Sequence, residues 1–572
     1  MDKKETFKKL DTDFKDNNYS WNAHPRPQLK RDNYTILNGE WDLSIIQKNV
    51  ATYLGKITMP FPPESDLSNI CKTLNKGEKF LYKTTFLPPS FSLGEKVILH
   101  FGAVDQIADI YINDRLISSH IGGYLPFSID ITERILIGKQ NDISVLVTDE
   151  LNTNIPYGKQ SKKRGGMWYT ATCGIWQTVW LEVVPKEYFS YLSITTNGNL
   201  VTINTLGGKA NKTLKIIGIP TTFSYSGDSI TFSVENPIFW SPDSPHLYDF
   251  TLSDGTDLVY SYFALRDISV QEINGYKYIC LNDKPIFFNA LLDQGYFPDG
   301  IYLPSSPQGY VQDVLNAKKL GFNTLRKHAK IEPDLFYYYC DKLGILVMQD
   351  MVNSGKYNFL LDTALPTIGV KRQPRPFANK LRKTIFLKHC SETIKFLHNH
   401  PCVVYYTIFN EGWGQFNADN VYEILKQQDS TKIFDTTSGW FKKSKSDVDS
   451  KHVYFKKIKL KANGKKPLIL SEFGGYSYKI LAHSFNQKKT YGYKKILSSL
   501  EFEKEITSLY LDQVLPCIKN GLNGAVLTQI CDVEDETNGL ITYDRKIIKI
   551  SIEQMQKINK ALTIAFDEIT KK

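Results

Sequence analysis

Short runs that alternate apolar and polar residues dominate the first 185 positions of the chain. Turn-forming pairs such as Asn113-Asp114 and Gly122-Gly123 separate these runs. A period of two predicts strands that bury one face, so residues 1–185 are predicted to form an all-β domain. The clearest runs are KVILHFGAV (96–104), ADIYIND (108–114), NDISVLV (141–147) and TVWLEVV (178–184).

Residues 186–272 continue in shorter apolar runs, and Pro237, Pro242 and Pro245 punctuate their second half. About seven strands in so short a segment match the size of a small β-sandwich. We therefore predict a second, smaller β domain here. The clearest of its runs are YLSITT, LVTINT, KIIGI, SITFSV and HLYDFTL.

The pattern changes after about residue 273, where strand-like runs begin to alternate with helical ones. Such alternation predicts a parallel sheet, and eight units fit a (β/α)8 barrel over residues 273–572. The longest helical pattern runs from Leu381 to Leu397, and Pro401 stops it. The eight strand runs are PIFFNALLD (285–293), FNTLR (322–326), ILVMQD (345–350), VVYYTIFNE (403–411), KIFDT (432–436), HVYF (452–455), PLILSE (467–472) and GAVLTQI (524–530).

Two glutamates stand at the ends of predicted barrel strands. Glu411 ends the fourth strand and Glu472 ends the seventh, and a glycine follows closely in both cases. Barrel strands open into the active site at their carboxyl ends, so both carboxylates are predicted to face one cleft. Paired carboxylates across a cleft are the machinery of glycoside hydrolysis, by retention at a separation of about 5–5.5 Å or inversion at about 6.5–9.5 Å. Either glutamate alone is equally consistent with a helix N-terminus or a surface ion pair.

Composition narrows the class of protein. The formal net charge is +10, but the lysines are spread along the chain, with a local excess at Lys442–Lys466. That distribution favours a solvated surface over a nucleic-acid footprint. The eight cysteines form no C-x-x-C pair and no metal-ligand spacing. The start of the chain lacks an apolar leader, and no run reaches the ~18 apolar residues of a membrane span. We expect a cytoplasmic protein with neither a membrane nor a nucleic-acid partner.

Several segments, in the same order along the chain, resemble glycoside hydrolase family 2, which includes β-galactosidases, β-glucuronidases and β-mannosidases. The resemblance implies a jelly-roll sugar-binding domain (1–185), an immunoglobulin-like β-sandwich (186–272) and a catalytic TIM barrel (273–572). The segments that carry it are PRPQLKRDNYTILNGEW, HFGAVDQIADIYINDRLISSHIGGYLPFSIDIT, CGIWQTVWLEVV, YFALRDI, LGFNTLRKHAKIEP, CDKLGILVMQDM, NHPCVVYYTIFNEGWGQ and PLILSEFGG.

The resemblance also implies roles for individual residues. Glu411 would be the general acid/base and Glu472 the nucleophile of a retaining double displacement through a glycosyl-enzyme intermediate. Without the resemblance, the other positions have ordinary structural explanations, such as helix capping by an aspartate or aromatic packing in the core. The implied substrate-binding residues are Asn410, Arg326, His328, Asp350, Tyr454, Asp293, Trp413 and Trp440.

Three departures from the family pattern bear on the substrate. Glu536-Thr537-Asn538-Gly539 stands where glucuronidases carry Asn-x-Lys-Gly, and an acid there would repel a uronate. Thr178 replaces an aspartate of some β-galactosidases, which puts their monovalent-ion site in doubt. No counterpart of the family's Mg-binding Glu and His surrounds Asp350, so we expect no metal and no cofactor. The segment Gly355–Phe377 is predicted to form a loop over the cleft.

The expected function is exo-acting retaining hydrolysis of a terminal neutral pyranoside, with a β-galactoside favoured. An α-L-arabinopyranoside, a β-mannoside or a β-glucuronide stays open, as does a non-catalytic carbohydrate-binding protein. The expected partner is a small carbohydrate or glycoside, and the family leaves a homo-oligomer open.

Overall fold

The computed structural model describes residues 7–14, 21–370, 378–441 and 445–571. Lys442 to Ser444, within the lysine-rich stretch, and residues 371–377 of the predicted loop lie outside the described residues. Within them, no helix is long and apolar enough to cross a membrane. All eight cysteines are free thiols, and seven of them are buried.

The first domain consists of two facing antiparallel sheets, as predicted for a jelly roll. The alternation that predicts the strands is seen directly in Asn141–Thr148, where every second side chain is buried. A core that includes Trp41, Tyr82 and Leu99 fills the space between the sheets. The four-stranded sheet contains, in order, Tyr34–Ile36, Val179–Pro185, Glu95–Phe101 and Phe127–Asp130; the six-stranded sheet contains Val50–Met59, Gly39–Gln47, Lys79–Phe86, Asn141–Thr148, Ile107–Ile112 and Arg115–Ile121.

Short strands of the first domain matter for the site. Gln160–Ser161 pairs in parallel with Tyr169–Thr170, and Gly174–Ile175 pairs with Val104–Asp105. The first of these pairs carries Lys159 and Tyr169 towards the barrel.

The second domain is a seven-stranded sandwich, which confirms the predicted immunoglobulin-like fold. Leu214, Leu252 and Val259 are fully buried between its sheets. Arg31 is ion-paired both with Glu182 of the first domain, at 3.0 Å, and with Asp257 of the second, at 2.7 Å. One sheet contains Phe189–Asn197, Leu200–Gly207 and Ser229–Ser233; the other contains Thr222–Ser226, Asn211–Ile216, Tyr248–Ser253 and Leu258–Phe263.

The remainder of the chain forms the predicted eight-stranded parallel barrel. An antiparallel sheet of Ile268–Ile273, Tyr276–Leu281 and Lys284–Pro285 precedes it. The barrel strands are β1 (Phe288–Asp293), β2 (Thr324–Lys327), β3 (Leu346–Asp350), β4 (Val403–Asn410), β5 (Ile433–Ser438), β6 (Asp449–Val453), β7 (Leu468–Gly474) and β8 (Leu522–Thr528). The described helices are α1 (Gln308–Lys319), α2 (Asp334–Leu343), α3 (Leu365–Thr367), α4 (Lys380–Leu397), α5 (Ala418–Gln428), α6 (Ser499–Ser508), α7 (Leu515–Ile518) and α8 (Ile552–Thr570).

Backbone ladders run around the barrel in the order β5-β4-β3-β2-β1-β8-β7-β6. At the β5–β6 seam the backbone N–H of Gly439 lies 3.4 Å from the hydroxyl of Ser450. A two-stranded pair, Tyr476–Tyr478 with Lys494–Ile496, extends from the end of β7. All eight predicted barrel strands are present, and because they are parallel their carboxyl ends meet at one face.

Candidate active site

Strand β4 delivers Glu411 to the carboxyl face of the barrel. Its eight residues are all buried, because a central parallel strand packs on both faces. Glu411 follows immediately and has a left-handed backbone, with φ of 50°. This residue turns the chain out of the strand, and its side chain is 6% exposed. Glu472 differs slightly from its predicted position, because β7 continues two residues beyond it to Gly474.

Arg326, near the end of β2, is the centre of the hydrogen-bond network in the cleft. Its guanidinium donates to both oxygens of Asp350, each at 3.0 Å, and to Glu472 Oε1 at 2.9 Å. It also donates to Asn410 Oδ1 at 2.7 Å. A planar guanidinium suits such forked contacts with carboxylates. Arg326 therefore holds the carboxylates of Asp350 and Glu472 and the amide of Asn410 in one network.

His328 and Asp350 form a second contact within this network. Nδ1 of His328 lies 2.6 Å from Asp350 Oδ2. Burial raises the pKa of Asp350, but Arg326 and His328 outweigh it and lower that pKa to about 2. Burial and Lys159 lower the pKa of His328. Asp350 is therefore an anion held by two neighbours, and it orients both of them.

Glu472 is held in its ionised form. Burial raises the pKa of its carboxyl, but the neighbouring His452, Arg326 and His328 outweigh that effect and lower it to about 2. The hydroxyl of Tyr454 donates to Glu472 Oε2 and lies 3.0 Å from the Thr528 hydroxyl. A carboxylate with these partners stays available as an anion.

Glu411 has the opposite electrostatic environment. Burial raises the pKa of its carboxyl, and the nearby Glu472 charge adds to that rise, while His452 opposes it. Nδ1 of His452 lies 2.9 Å from Glu411 Oε1 and 3.5 Å from Glu472 Oε2. The two carboxyl groups therefore have pKa values displaced in opposite directions, as an acid and a nucleophile require.

The two glutamates are close enough to act on one atom. An oxygen of each lies within 4.8 Å of an oxygen of the other. At this approach both carboxyl groups can reach the same glycosidic bond. Such an arrangement permits attack on a carbon by one carboxylate while the other protonates the departing oxygen.

The two tryptophans lie at different depths. Trp413 is 4% exposed and stacks on Trp168, with ring centroids 5.9 Å apart. Its indole Nε1 has no protein partner among the described residues. Trp440 is half-buried and contacts the ring of His452 edge-on at 6.0 Å. Both rings therefore border the cleft.

Asp293 lies apart from the other predicted residues. One of its oxygens accepts from Lys327 at 2.6 Å and the other from the backbone N–H of Gly295 at 2.8 Å. Lys327 also contacts Glu332 at 2.8 Å. Asp293 thus belongs to a buried ion cluster at the end of β1, and both of its oxygens have partners, which leaves its predicted contact with a sugar hydroxyl without support from this geometry.

Three residues of the cleft were not predicted. His452 stands two positions before Tyr454, and this spacing of two could have drawn attention to it. Lys159 and Trp168 come from the first domain, where no pattern connects them with the barrel. The Lys159 ammonium lies 5.8 Å from the ring centroids of Tyr169 and Trp413.

Glu536 also reaches the cleft. It accepts hydrogen bonds from the hydroxyl of Tyr169 and from Gln529 Nε2, the latter at 3.1 Å. Burial raises the pKa of its carboxyl, and the positive charge of Lys159 opposes that rise. An acid is thus present where the family's glucuronidases have their Asn-x-Lys motif.

One set of side chains among the described residues has the spacing of metal ligands: Glu411, His452 and Glu472. The His452 nitrogen nearest the two carboxylates is already in contact with them. That nitrogen is hydrogen-bonded to Glu411.

Comparison with known proteins covers most of the chain. Residues 51–178 match the "glycosyl hydrolase 2 galactose-binding domain-like" model. Residues 192–266 match "glycosyl hydrolases family 2", and residues 277–547 match the "glycosyl hydrolases family 2, TIM barrel domain".

Two enzymes are similar to this chain in sequence. A β-galactosidase of Thermoanaerobacter pseudethanolicus is 27% identical over 282 residues, which are 45% of this chain and 37% of that protein. A β-glucuronidase of Streptococcus agalactiae is 23% identical over 362 residues, 58% of each chain. The matched region spans little more than a third of the length of the first relatives.

Two solved structures share the fold over nearly the whole chain. A β-galacturonidase from Eisenbergiella tayi bound to galacturonate has a TM-score of 0.69 at 18% identity, covering 94% of this chain and 99% of that one. A β-D-glucuronidase of Dictyoglomus thermophilum has a TM-score of 0.73 at 17% identity, covering 94% and 98%. With the three domain models in their expected order, the chain belongs to glycosyl hydrolase family 2.

Proposed function

We propose that the chain is a retaining exo-glycosidase that cleaves a terminal neutral pyranoside, with a β-galactoside favoured. The observation that carries the proposal is the close approach of Glu411 and Glu472, within 4.8 Å, with pKa values shifted in opposite directions. A non-catalytic binding protein has no need for such a pair. Cytoplasmic location and a homo-oligomer stay predictions.

In the first step, Glu472 Oε attacks the anomeric carbon while the Glu411 carboxyl gives its proton to the glycosidic oxygen. The bond between that oxygen and the anomeric carbon breaks, and a glycosyl ester of Glu472 forms. In the second step Glu411, now ionised, takes a proton from water, which attacks the same carbon and releases Glu472. Two inversions give net retention.

Asn410 is oriented to hold a sugar hydroxyl. Its Oδ1 accepts from Arg326 at 2.7 Å and from the Ser438 hydroxyl at 2.9 Å. These contacts fix the amide with its NH2 group directed away from Arg326, so it can donate to the hydroxyl next to the anomeric carbon. His328 is held by Asp350 through Nδ1, which leaves Nε2 for a more distant hydroxyl.

A β-hexuronide is the second candidate, and Lys159 favours it. Lys159 is 8% exposed, and it has two aromatic neighbours and no ion-pair partner among the described residues. A buried cation without a paired anion suits a substrate carboxylate. Glu536 argues for the neutral sugar, because its carboxyl lies close to Lys159 and its negative charge would repel the carboxylate of a hexuronide.

A panel of nitrophenyl glycosides distinguishes the candidates. It contains β-galactoside, α-L-arabinopyranoside, β-mannoside, β-glucuronide and β-galacturonide, tested on the wild type, on Lys159→Met, and on Lys209→Met as the exposed control. If the substrate is a neutral pyranoside, we expect the β-galactoside to be the best substrate. If the substrate is a hexuronide, we expect a uronide to be the best, with kcat/KM about 100-fold lower in Lys159→Met. Absence of turnover on every member would contradict both.

His452 is expected to set the pH range of activity. It lowers the pKa values of both Glu411 and Glu472. His452→Asn should raise both, so the acid limb, where Glu472 must ionise, and the alkaline limb, where Glu411 must stay protonated, should both move to higher pH. The measurement is kcat/KM against pH.

Tyr454→Phe is the matched control for this shift. Tyr454 donates to Glu472 alone, and that bond lowers the pKa of Glu472. The acid limb of kcat/KM should therefore move to higher pH, while the alkaline limb stays in place. If both limbs were unchanged in His452→Asn, a role for His452 in the two ionisations would be ruled out.

A further inference from the structure

A cavity of about 570 Å³ opens next to the carboxyl ends of β5 and β6. Three segments of the chain form its walls. They are Pro366–Gly369, which includes the end of α3, Gly439-Trp440 after β5, and Lys451 to Leu460, which begins within β6.

The cavity and the candidate active site share side chains. His452 lines the cavity and lies 2.9 Å from Glu411, while Tyr454 lines it and donates to Glu472. In the proposed reaction the leaving group departs from the side of the acid, Glu411. A leaving group that extends past His452 therefore enters this cavity.

Lysines dominate the charge of the cavity wall. Lys456, Lys457 and Lys459 line it, all three are exposed, and none has an ion-pair partner among the described residues. Lys451 is the exception, since it is paired with Asp449. The lining contains no aspartate or glutamate.

Lysines at the amino-terminal ends of β5 and β6 behave differently. Lys426 pairs with Asp447 at 2.9 Å and Lys445 with Glu423 at 2.9 Å. Among the described residues, no such acidic partner lines the cavity. A concave wall of one charge sign attracts an oppositely charged ligand more strongly than a flat surface does.

The same wall offers apolar surface. Phe455 is 60% exposed and Ile368 is 74% exposed, and the half-buried Trp440, whose ring contacts His452 edge-on, also lines the cavity. Exposed rings beside cations suit a flat or ring-shaped group that also carries negative charge.

We propose that this cavity binds the leaving group of the substrate, and that this group carries an anionic substituent, a carboxylate or a sulfate. The proposal rests on the proposed glycosidase function and names the class of glycoside that the enzyme cleaves: one whose sugar is attached to an acidic aglycone or to an acidic neighbouring saccharide.

The test compares three phenyl glycosides of the sugar that the nitrophenyl panel identifies. Their para substituents are carboxylate, sulfonate and the neutral carboxamide. We expect kcat/KM to be about tenfold higher for the carboxylate than for the carboxamide at low ionic strength, and the ratio to fall as NaCl is added. An equal gain for sulfonate would support recognition of charge alone; a gain for one anion would support the proposal and identify the group.

Two triple variants separate the cavity from general surface charge. Lys456→Ala/Lys457→Ala/Lys459→Ala should lower the carboxylate-to-carboxamide ratio of kcat/KM about tenfold, to the value that the wild type has at high salt. Lys76→Ala/Lys209→Ala/Lys215→Ala removes the same charge from exposed sites in the other domains and should leave the ratio unchanged. Because each ratio compares the same two leaving groups, their intrinsic reactivities cancel.

The outcomes separate this proposal from the proposed function. Turnover of the carboxamide with no advantage for either anion, or an advantage that survives the first triple variant, would overturn the cavity proposal and leave the glycosidase intact. Failure of the wild type to cleave any member of the nitrophenyl panel would count against the glycosidase, and the cavity proposal would fall with it.

Discussion

Glu472→Gln is expected to lower kcat by about 10⁴-fold or more on every substrate that the wild type cleaves. The amide is nearly the same size as the carboxylate but is a very poor nucleophile towards the anomeric carbon. Its oxygen can still accept from Arg326, and its NH2 group can donate to the hydroxyl of Tyr454, which contacts the other oxygen of Glu472. Arg326 also keeps both of its bonds to Asp350, so the barrel should stay folded.

The measurement is kcat on the best nitrophenyl glycoside, with circular dichroism to show that the variant is folded. Glu534→Gln is the matched control, since Glu534 is another buried glutamate near the cleft and is paired with Arg164 at 3.1 Å. It should retain activity within about tenfold. A 2-fluoro glycoside of the same sugar should label the wild type on the peptide that contains Glu472. Labelling elsewhere, or appreciable turnover by a folded Glu472→Gln, would rule out this nucleophile.

The sequence was informative where its pattern has a direct physical cause. Buried parallel strands give continuous apolar runs, so the eight strands could be counted, and the polar residue at the end of each run marked the open face of the barrel. That reasoning correctly placed Glu411 and Glu472 in one cleft. It gave the position of Glu472 less accurately, because β7 continues past that residue through Phe473 to Gly474.

Contacts between side chains could not be predicted in the same way. Asp293 and Asp350 both end barrel strands, and from the sequence they look alike. Lys327, at the end of β2, binds Asp293, while Arg326, one residue earlier, binds Asp350. Adjacent residues of one strand point to opposite faces, so the two aspartates belong to separate clusters.

Strand periodicity could not identify the cleft residues that come from the first domain. Lys159 and Trp168 reach the cleft because the short strand pair of Gln160–Ser161 and Tyr169–Thr170 lies against the barrel. Nothing in the local pattern around Lys159 distinguishes it from the solvated lysines that follow it in KQSKK. Only the three-dimensional arrangement shows that its side chain is buried.

The second large effect is expected for Glu411→Ala, and it should depend on the leaving group. A dinitrophenyl glycoside needs little protonation, so its first step should be nearly unchanged. An unactivated phenyl glycoside should lose about 10²–10⁴-fold in kcat/KM, the usual contribution of a general acid. Since the pKa of Glu411 is raised by burial, the wild type should keep its acid protonated beyond the usual range of a glutamate, and the alkaline limb of kcat/KM should vanish in the variant.

Azide gives an independent check of the same assignment. Once the glycosyl ester of Glu472 has formed, water needs a base, which Glu411→Ala lacks, but azide attacks without one. Added azide should therefore raise kcat on the dinitrophenyl substrate and yield a glycosyl azide of retained configuration. Glu534→Ala should show the wild-type dependence on leaving group and no response to azide. If Glu411→Ala slowed the first step equally for both leaving groups, its role as the acid would be excluded, and another proton donor would be needed within reach of the glycosidic oxygen.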